Sequence, residues 1–364
     1  MKIGLIISDI TEFGGGQRVV VLLSKLFSGI EKAEVTIFSC LSEKGHKPAF
    51  ELEESVRIVH LGDCFNKRSF CYRLFSERGS WLFFKAMRQL KKVLKTDKQD
   101  ILISTTFWTN SYAPFFRFDS KLILCEHLTY EGLPLANKIM ARLFYRFSDA
   151  VVLLSKRHAT DYNFVPESKK FVIPNARTFE PDETAELSRK RILVLSRFSY
   201  EKGMDILILI AEKLKRKIPD WKIDIFGDGE EKAGLKKIAE EKNLNDFLCF
   251  HEPTADAKQE LLSSSLVLLT SRHEAFPMVI LEAQACGVPV IAFDCHYGPG
   301  DIIHHGSDGI LVPVGDIDGF VGECVRLAND EALRRTIGKN AKSNAENYSQ
   351  KKILSMWLEL LKKT

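Results

Sequence analysis

The strongest constraint in this sequence is a strand–loop–helix rhythm that runs along the chain, breaks once, and restarts from a near copy of its opening. Lys2-Ile-Gly-Leu-Ile-Ile-Ser8 is an apolar run closed by a polar residue, the pattern of a parallel strand covered on both faces. Gly14, Gly15 and Gly16 follow, and helical periodicity begins at Gln17 with Val20, Leu22, Leu23, Leu26 and Phe27. Further strands are expected at Glu34–Ser39, Arg57–Leu61, Ile101–Ser104, Lys121–Cys125, Ala150–Leu154 and Lys170–Ile173, and helices at Trp81–Lys95, Ala136–Phe147 and Lys156–Asn163. Arg177 to Lys190 has no apolar period, carries Pro181 and many charges, and reads as a linker.

Arg191-Ile-Leu-Val-Leu-Ser196 then restarts the pattern. Helices are expected at Gly203–Lys217, Glu230–Lys242, Asp256–Leu262 and Pro277–Cys286, between strands at Trp221–Phe226, Phe247–Phe250, Leu266–Thr270 and Pro289–Phe293. The 364 residues suit two domains better than one core. The fold class is therefore α/β, with two Rossmann-like, doubly wound parallel-sheet domains. The divisions are an N-terminal domain over 1–175, a linker over 176–190, a C-terminal domain over 191–345 and a terminal helix over 346–364. In such sheets ligands bind beyond the carboxyl ends of the strands, so the residues that follow strands carry the functional argument.

Composition removes several classes. With 45% hydrophobic and 27% charged residues the chain is globular, and no apolar run reaches the roughly 18 residues of a membrane span. The first eight residues lack a charged n-region and a cleavage site, so Met1 is expected to open the mature fold and the chain to stay in the cytosol. Eight cysteines show no C-x-x-C pair and read as reduced structural thiols. Net charge is only +4, yet Phe65 to Lys98 holds ten Lys and Arg against two acids, interleaved with aromatics such as Phe70, Trp81 and Phe84. That pattern fits an anionic membrane surface, and equally an ordinary helix that buries Leu82, Met87, Leu90 and Leu94.

Two clusters carry chemistry. After the Leu266–Thr270 strand comes Ser-Arg-His-Glu274-Ala275-Phe276-Pro277-Met278, then Glu282 one turn on. Pro277 suits the first helical position, so the helix presents free N–H groups and a positive dipole to an anion. Two carboxylates at this spacing can accept hydrogen bonds from hydroxyls at two ends of an elongated ligand. After the Arg191–Ser196 strand, Arg197 and Lys202 flank a short loop closed by Gly203. A fork donor and a point charge there suit a diphosphate and can stabilise a leaving group without a metal.

Glu274-x7-Glu282 and Ser196-Arg-Phe-x-x-x-Lys202-Gly203 resemble the E-x7-E and diphosphate-binding motifs of retaining GT-B glycosyltransferases of family 4. The triple-glycine loop, Ile173-Pro-Asn175, Phe226-Gly-Asp-Gly229, Gly287-Val-Pro-Val290 and Tyr297–Ile303 are similar to landmarks of that family, so the resemblance spans the chain. It implies two domains facing a central cleft and transfer of a hexose or N-acetylhexosamine, with retention, from a nucleotide sugar, expected to be UDP-linked. Arg197 and Lys202 would bind the diphosphate, Glu282 the ribose, and Glu274 the sugar, with the backbone of Ala275, Phe276, Pro277 and Met278 alongside. His127 would face the donor sugar across the cleft, and Gly15 and Gly16 would admit sugar or acceptor closely.

The chain departs from the family at Ala275, where Gly is usual, at His251-Glu-Pro253 and at Asp301. Glu126-His127-x-x-Tyr130 resembles bacterial transferases that extend lipid-linked oligosaccharides for surface polysaccharides and N-glycans. The implied partners are a nucleotide-sugar donor, a glycan or lipid-linked acceptor and, through 65–98, the inner face of the membrane; no cofactor, metal or nucleic acid is expected. Asp316-Ile-Asp318 spells a metal-binding D-x-D motif, but its place before a helix makes Asp316 an N-cap. The rival readings are a nucleotide-sugar epimerase, which lacks added acid/base residues, and a catalytically silent nucleotide-sugar or membrane-binding module. A nicotinamide dehydrogenase lacks its G-x-G-x-x-G turn.

Overall fold

A computed structural model describes residues 1–62, 80–117 and 119–363. The chain divides into two compact units, one of Met1–Ala176 with the chain from Ile353 onward, the other of Arg177–Lys352.

The first unit holds strands β1 (Lys2–Ile7), β2 (Glu34–Ser39), β3 (Arg57–His60), β4 (Ile101–Ser104), β5 (Lys121–Cys125), β6 (Ala150–Leu153) and β7 (Lys170–Val172). They form one sheet in the order β3-β2-β1-β4-β5-β6-β7, and every pairing is parallel. β1 sits where the strand order reverses, with Ile3 opposite Val35 on one side and Ile101 on the other. Its helices are α1 (Gly15–Ser28), α2 (Ser80–Thr96), α3 (Phe107–Tyr112), α4 (Leu135–Phe144) and α5 (Lys156–Thr160). The central strands are apolar and fully covered, as both-face burial requires.

The second unit contains β8 (Arg191–Leu195), β9 (Lys222–Phe226), β10 (Leu248–His251), β11 (Leu266–Leu269), β12 (Val290–Phe293) and β13 (Ile310–Val312). Their order is β10-β9-β8-β11-β12-β13, again all parallel. The helices are α6 (Met204–Lys217), α7 (Lys232–Glu241), α8 (Ala257–Leu262), α9 (Met278–Ala285), α10 (Pro299–Ile302), α11 (Ile317–Asn329) and α12 (Glu331–Ala345). α13 (Gln350–Lys363) ends the description; from Ile353 it is grouped with the first unit, where Trp357 meets Phe27 of α1 edge-on at 5.5 Å. The chain thus has two parallel α/β sheets of seven and six strands.

Several local expectations shift. The first helix begins at Gly15, so two of the three glycines form its first turn rather than a loop. The 156–163 helix stops at Thr160, and Ala136–Phe147 becomes α4 followed by a tighter turn at Tyr145–Phe147. Residues 176–190, read as a linker, are grouped from Arg177 with the second unit: Leu187 is buried, and Ala185 N–H donates to Cys286 O at 2.9 Å. Asp316 caps α11 by accepting from Gly319 N–H at 2.8 Å, and Asp318 pairs with Lys213. The basic stretch is described only from Ser80, so Lys67, Arg68, Arg73 and Arg78 lie outside the described residues, as do Cys64 and Cys71. In α2, Met87, Leu90 and Leu94 are buried, the face expected of an ordinary helix, while Arg88, Lys92 and Lys95 are exposed.

Candidate active site

In the second unit β8 and β11 are neighbours at the point where strand order reverses, so the loops leaving their carboxyl ends must meet. The β8 loop carries Arg197 and Lys202. It turns through Tyr200–Lys202 into Gly203, whose φ of +62° is left-handed. A Cβ on Gly203 would lie 2.1 Å from the carbonyl oxygen of Thr270, so only glycine lets this loop close onto β11's end. Thr270 Oγ1 donates to Lys202 O at 3.2 Å, and Arg272 N–H donates to Glu201 O at 2.8 Å. Arg272 also forks onto Asp205 at 2.7 and 2.6 Å with its guanidinium over the Tyr200 ring.

These ties bring the predicted residues together. Lys202 Nζ donates to Glu274 Oε1 at 2.7 Å, and Ser271 Oγ donates to the same oxygen at 2.7 Å. The Glu274 side chain is 8% exposed and that of Lys202 26% exposed. Arg197 is exposed and makes no ion pair among the described residues. Hydrogen bonds from its own backbone and from Ser199 hold the nearby Glu201 carboxyl below its usual range, and Arg197 and Lys202 add to this.

Phe276, Pro277 and Met278 are buried. Pro277 is the N-cap of α9 rather than its first helical residue, which still leaves the first-turn N–H groups pointing out of the sheet's carboxyl edge. Gly298 supports this turn from below: at φ +87°, a Cβ there would sit 2.7 Å from Pro277 Cδ. Glu282 is 1% exposed, so it is not a solvated surface acid, and it accepts from Thr178 Oγ1 at 2.7 Å.

Sequence reasoning missed Ser271 and Thr178, the polar residues that fix the two glutamates, and Lys232. That buried lysine donates to the carbonyls of Gly227 and His251 at 2.8 and 3.1 Å and to Glu252 at 2.8 Å. It thus ties together the backbone leaving β9 and β10. His251, a departure from the family pattern, stacks on Phe226 at 4.5 Å and pairs with Asp224 at 2.7 Å. The 3.6-residue period of α7 was readable, but nothing in it showed that one lysine turns inward.

His127, Gly15 and Gly16 lie in the first unit and are described there alone. The His127 ring lines a small cavity with Val19, Leu23, Cys125, Asn175 and Trp357. Both ring nitrogens are buried with no hydrogen-bond partner among the described residues. Burial, and then the neighbouring His158, lowers its pKa to about 4, so the ring is neutral at pH 7. Next to it, Glu126 is buried and accepts from Asn110 Nδ2 at 2.5 Å and from the Tyr145 hydroxyl. Burial raises its pKa to about 7 against those hydrogen bonds. Nothing lies within 4 Å of a Cβ built on Gly15 or Gly16, so the open side of this helix start is free for a ligand. Among the described residues no group of three or more His, Cys, Asp or Glu forms a metal-binding cluster.

Residues 176–344 match the model described as glycosyl transferases group 1, and residues 13–180 match glycosyltransferase family 4. A glycosyltransferase of Haemophilus influenzae is 28% identical, and the amylovoran biosynthesis glycosyltransferase AmsD of Erwinia amylovora 27%, each over 99% of both chains. A Campylobacter jejuni enzyme is 25% identical over 99% of this chain and 98% of its own. It is named as an α-1,4-N-acetyl-D-galactosaminyltransferase acting on a diNAcBac-PP-undecaprenol glycan. Among solved structures, Staphylococcus aureus TarM, in complex with UDP, superposes with a TM-score of 0.82 at 18% identity over 99% of each chain. Anabaena HepE, in complex with UDP-glucose, gives 0.77 at 20% identity over 100% of each. With the two domain models together spanning residues 13–344 and the paired parallel sheets, this chain belongs to the family 4-type GT-B glycosyltransferases.

Proposed function

We propose that the chain transfers a hexose or N-acetylhexosamine from a UDP-sugar to a lipid-linked glycan acceptor, with retention at the anomeric carbon, in the synthesis of a bacterial surface glycan. The observation that carries this reading is the Lys202–Glu274 pair, held by Ser271 beside exposed Arg197 and the α9 N-terminus. A diphosphate arriving there meets two cations and a helix dipole. The charge a divalent ion would otherwise neutralise is met by protein groups, so the reaction needs no metal.

Glu274, released from Lys202, accepts from hydroxyls of the transferred sugar. Glu282, anchored by Thr178, accepts from the ribose. The acceptor oxygen bonds to the anomeric carbon on the face from which the diphosphate oxygen leaves, and the acceptor proton passes to that departing diphosphate. Arg197 and Lys202 stabilise the leaving charge as it develops. In the first unit, neutral His127 serves the sugar, and the open side of Gly15 and Gly16 serves the acceptor.

The donor and acceptor classes draw on the relatives: UDP and UDP-glucose are bound by TarM and HepE, and an undecaprenol-linked glycan is the substrate named for the Campylobacter enzyme. Such an acceptor would bring the enzyme to the inner face of the membrane, where the basic 65–98 stretch, with Arg88, Lys92, Lys95 and Lys98 exposed among its described residues, would meet anionic lipid.

The test is transfer from a panel of UDP-, GDP- and ADP-sugars to lipid-linked and water-soluble acceptors with a chelator present, the product's anomeric configuration being read by NMR. Metal-free transfer from a UDP-sugar with retention is expected. An inverted product or a strict need for a divalent ion would refute the mechanism. Binding of nucleotide without transfer would favour the silent module.

A further inference from the structure

α4 and the turn that follows it turn their apolar side outward. Leu135, Ile139, Leu143 and Phe147 recur every four residues and are 74%, 49%, 47% and 48% exposed, while Ala141 and Tyr145 form the buried side. A helix on a globular surface ordinarily shows the reverse. The exposed patch continues onto the turn after α3, which sets Phe115 (49% exposed) edge-on to Phe144 at 4.9 Å. From there Phe116 meets Phe84 of α2 at 5.7 Å, and Phe84 is itself 42% exposed. Contiguous exposed apolar side chains rimmed by charge mark an interaction surface.

Charge says what covers it. Residues 132–148 contain no Asp or Glu, and neither does α2. Arg142 of α4 and Arg146 of the turn after it lie exposed among these apolar residues, and Arg88 and Lys92 lie exposed on α2. Two copies of this chain meeting through the patch would set like charges against each other, which opposes a dimer here. An anionic bilayer supplies both an apolar boundary and phosphates of opposite sign.

We propose that the face made by α2, the turn after α3, and α4 seats on an anionic bilayer. Leu135, Ile139, Leu143 and Phe147 enter the acyl boundary, and the four exposed cations meet headgroup phosphates. This inference deepens the lipid-linked acceptor reading and rests on it, assigning the attachment to α4's apolar residues as well as to α2's basic ones.

The experiment is flotation of the full chain with vesicles of phosphatidylglycerol and phosphatidylcholine in equal parts, and with pure phosphatidylcholine. Wild type and Ile139→Leu are expected to float with the anionic vesicles only, and Ile139→Glu/Leu143→Glu to lose at least about tenfold in binding. Both substitutions are on exposed positions, so an unchanged melting temperature is expected to accompany the loss. Transfer to a water-soluble acceptor should be unaffected by the double variant, which separates failure of the docking face from failure of the transferase reading. Equal flotation of the glutamate variant, no flotation of wild type, or a wild-type dimer broken by the same variant would overturn the proposal.

Discussion

Lys202 Nζ lies 2.7 Å from Glu274 Oε1, so in the ligand-free protein two residues assigned to different parts of the donor neutralise each other. The pair keeps a mostly buried carboxylate satisfied, and in the proposed reaction the donor diphosphate competes with it for the lysine. Lys202→Ala should lower kcat/KM by about 10²–10³ through lost leaving-group stabilisation. It should also cost roughly 1–3 kcal/mol of stability, because among the described residues Glu274 then retains Ser271 alone. Steady-state kinetics with a UDP-sugar and chemical denaturation check the two effects separately.

Glu282 is held by Thr178 across a long stretch of sequence. Thr178→Val removes that donor and would leave Glu282, the proposed ribose ligand, misaligned. Donor KM should rise about tenfold, an effect of roughly 1.4 kcal/mol, with little change in kcat. A fall in kcat at constant KM would place Glu282 in the chemical step instead.

Gly203→Ala should be severe for its size. The left-handed φ and the 2.1 Å approach to Thr270 O leave no room for a Cβ. A loss of at least ~2 kcal/mol in denaturation is expected, together with weakened UDP binding, because the loop that carries Lys202 must shift.

Glu126 and His127 give opposed pH signatures. Between about 4.5 and about 7 the folded chain keeps a proton on Glu126 that the unfolded chain releases, so this group makes stability fall as pH rises through that window. His127 does the opposite: the unfolded chain gains a proton below 6.5 that the folded ring refuses until about 4, so stability falls as pH falls. Glu126→Gln keeps an acceptor for Tyr145 and cannot ionise. Its melting temperature should gain on wild type as pH rises from 5 to 8. Parallel pH profiles would show that Glu126 does not titrate in that range.

Much of this was legible because the signals are local. Continuous apolar runs marked every strand of the first sheet and all of the second but β13, whose three residues are too short a run to stand out; the residues after β8 and β11 pointed to the site, since sheet order alone forces those two loops together. Polar partners escaped notice because they come from elsewhere in the chain: Thr178 lies within the supposed linker, and Asn110 on a helix, α3, that was not foreseen. That helix is short, and its start is fixed by Thr106 and Thr109 hydroxyls rather than by an apolar period. α12 was overlooked because its face is mostly polar, with only Ile337, Ala341 and a few neighbours buried. The outward apolar face of α4 was hidden for the opposite reason: periodicity shows that a helix has an apolar stripe, and only the packed structure shows which way it turns.

The most direct test of the donor site is calorimetric titration of UDP, with a chelator present, into wild type and Lys202→Ala. The site described here predicts metal-free binding by wild type and a loss of at least tenfold, about 1.4 kcal/mol, in the variant. Equal affinity in the two proteins, or binding that appears only when a divalent ion is added, would contradict it.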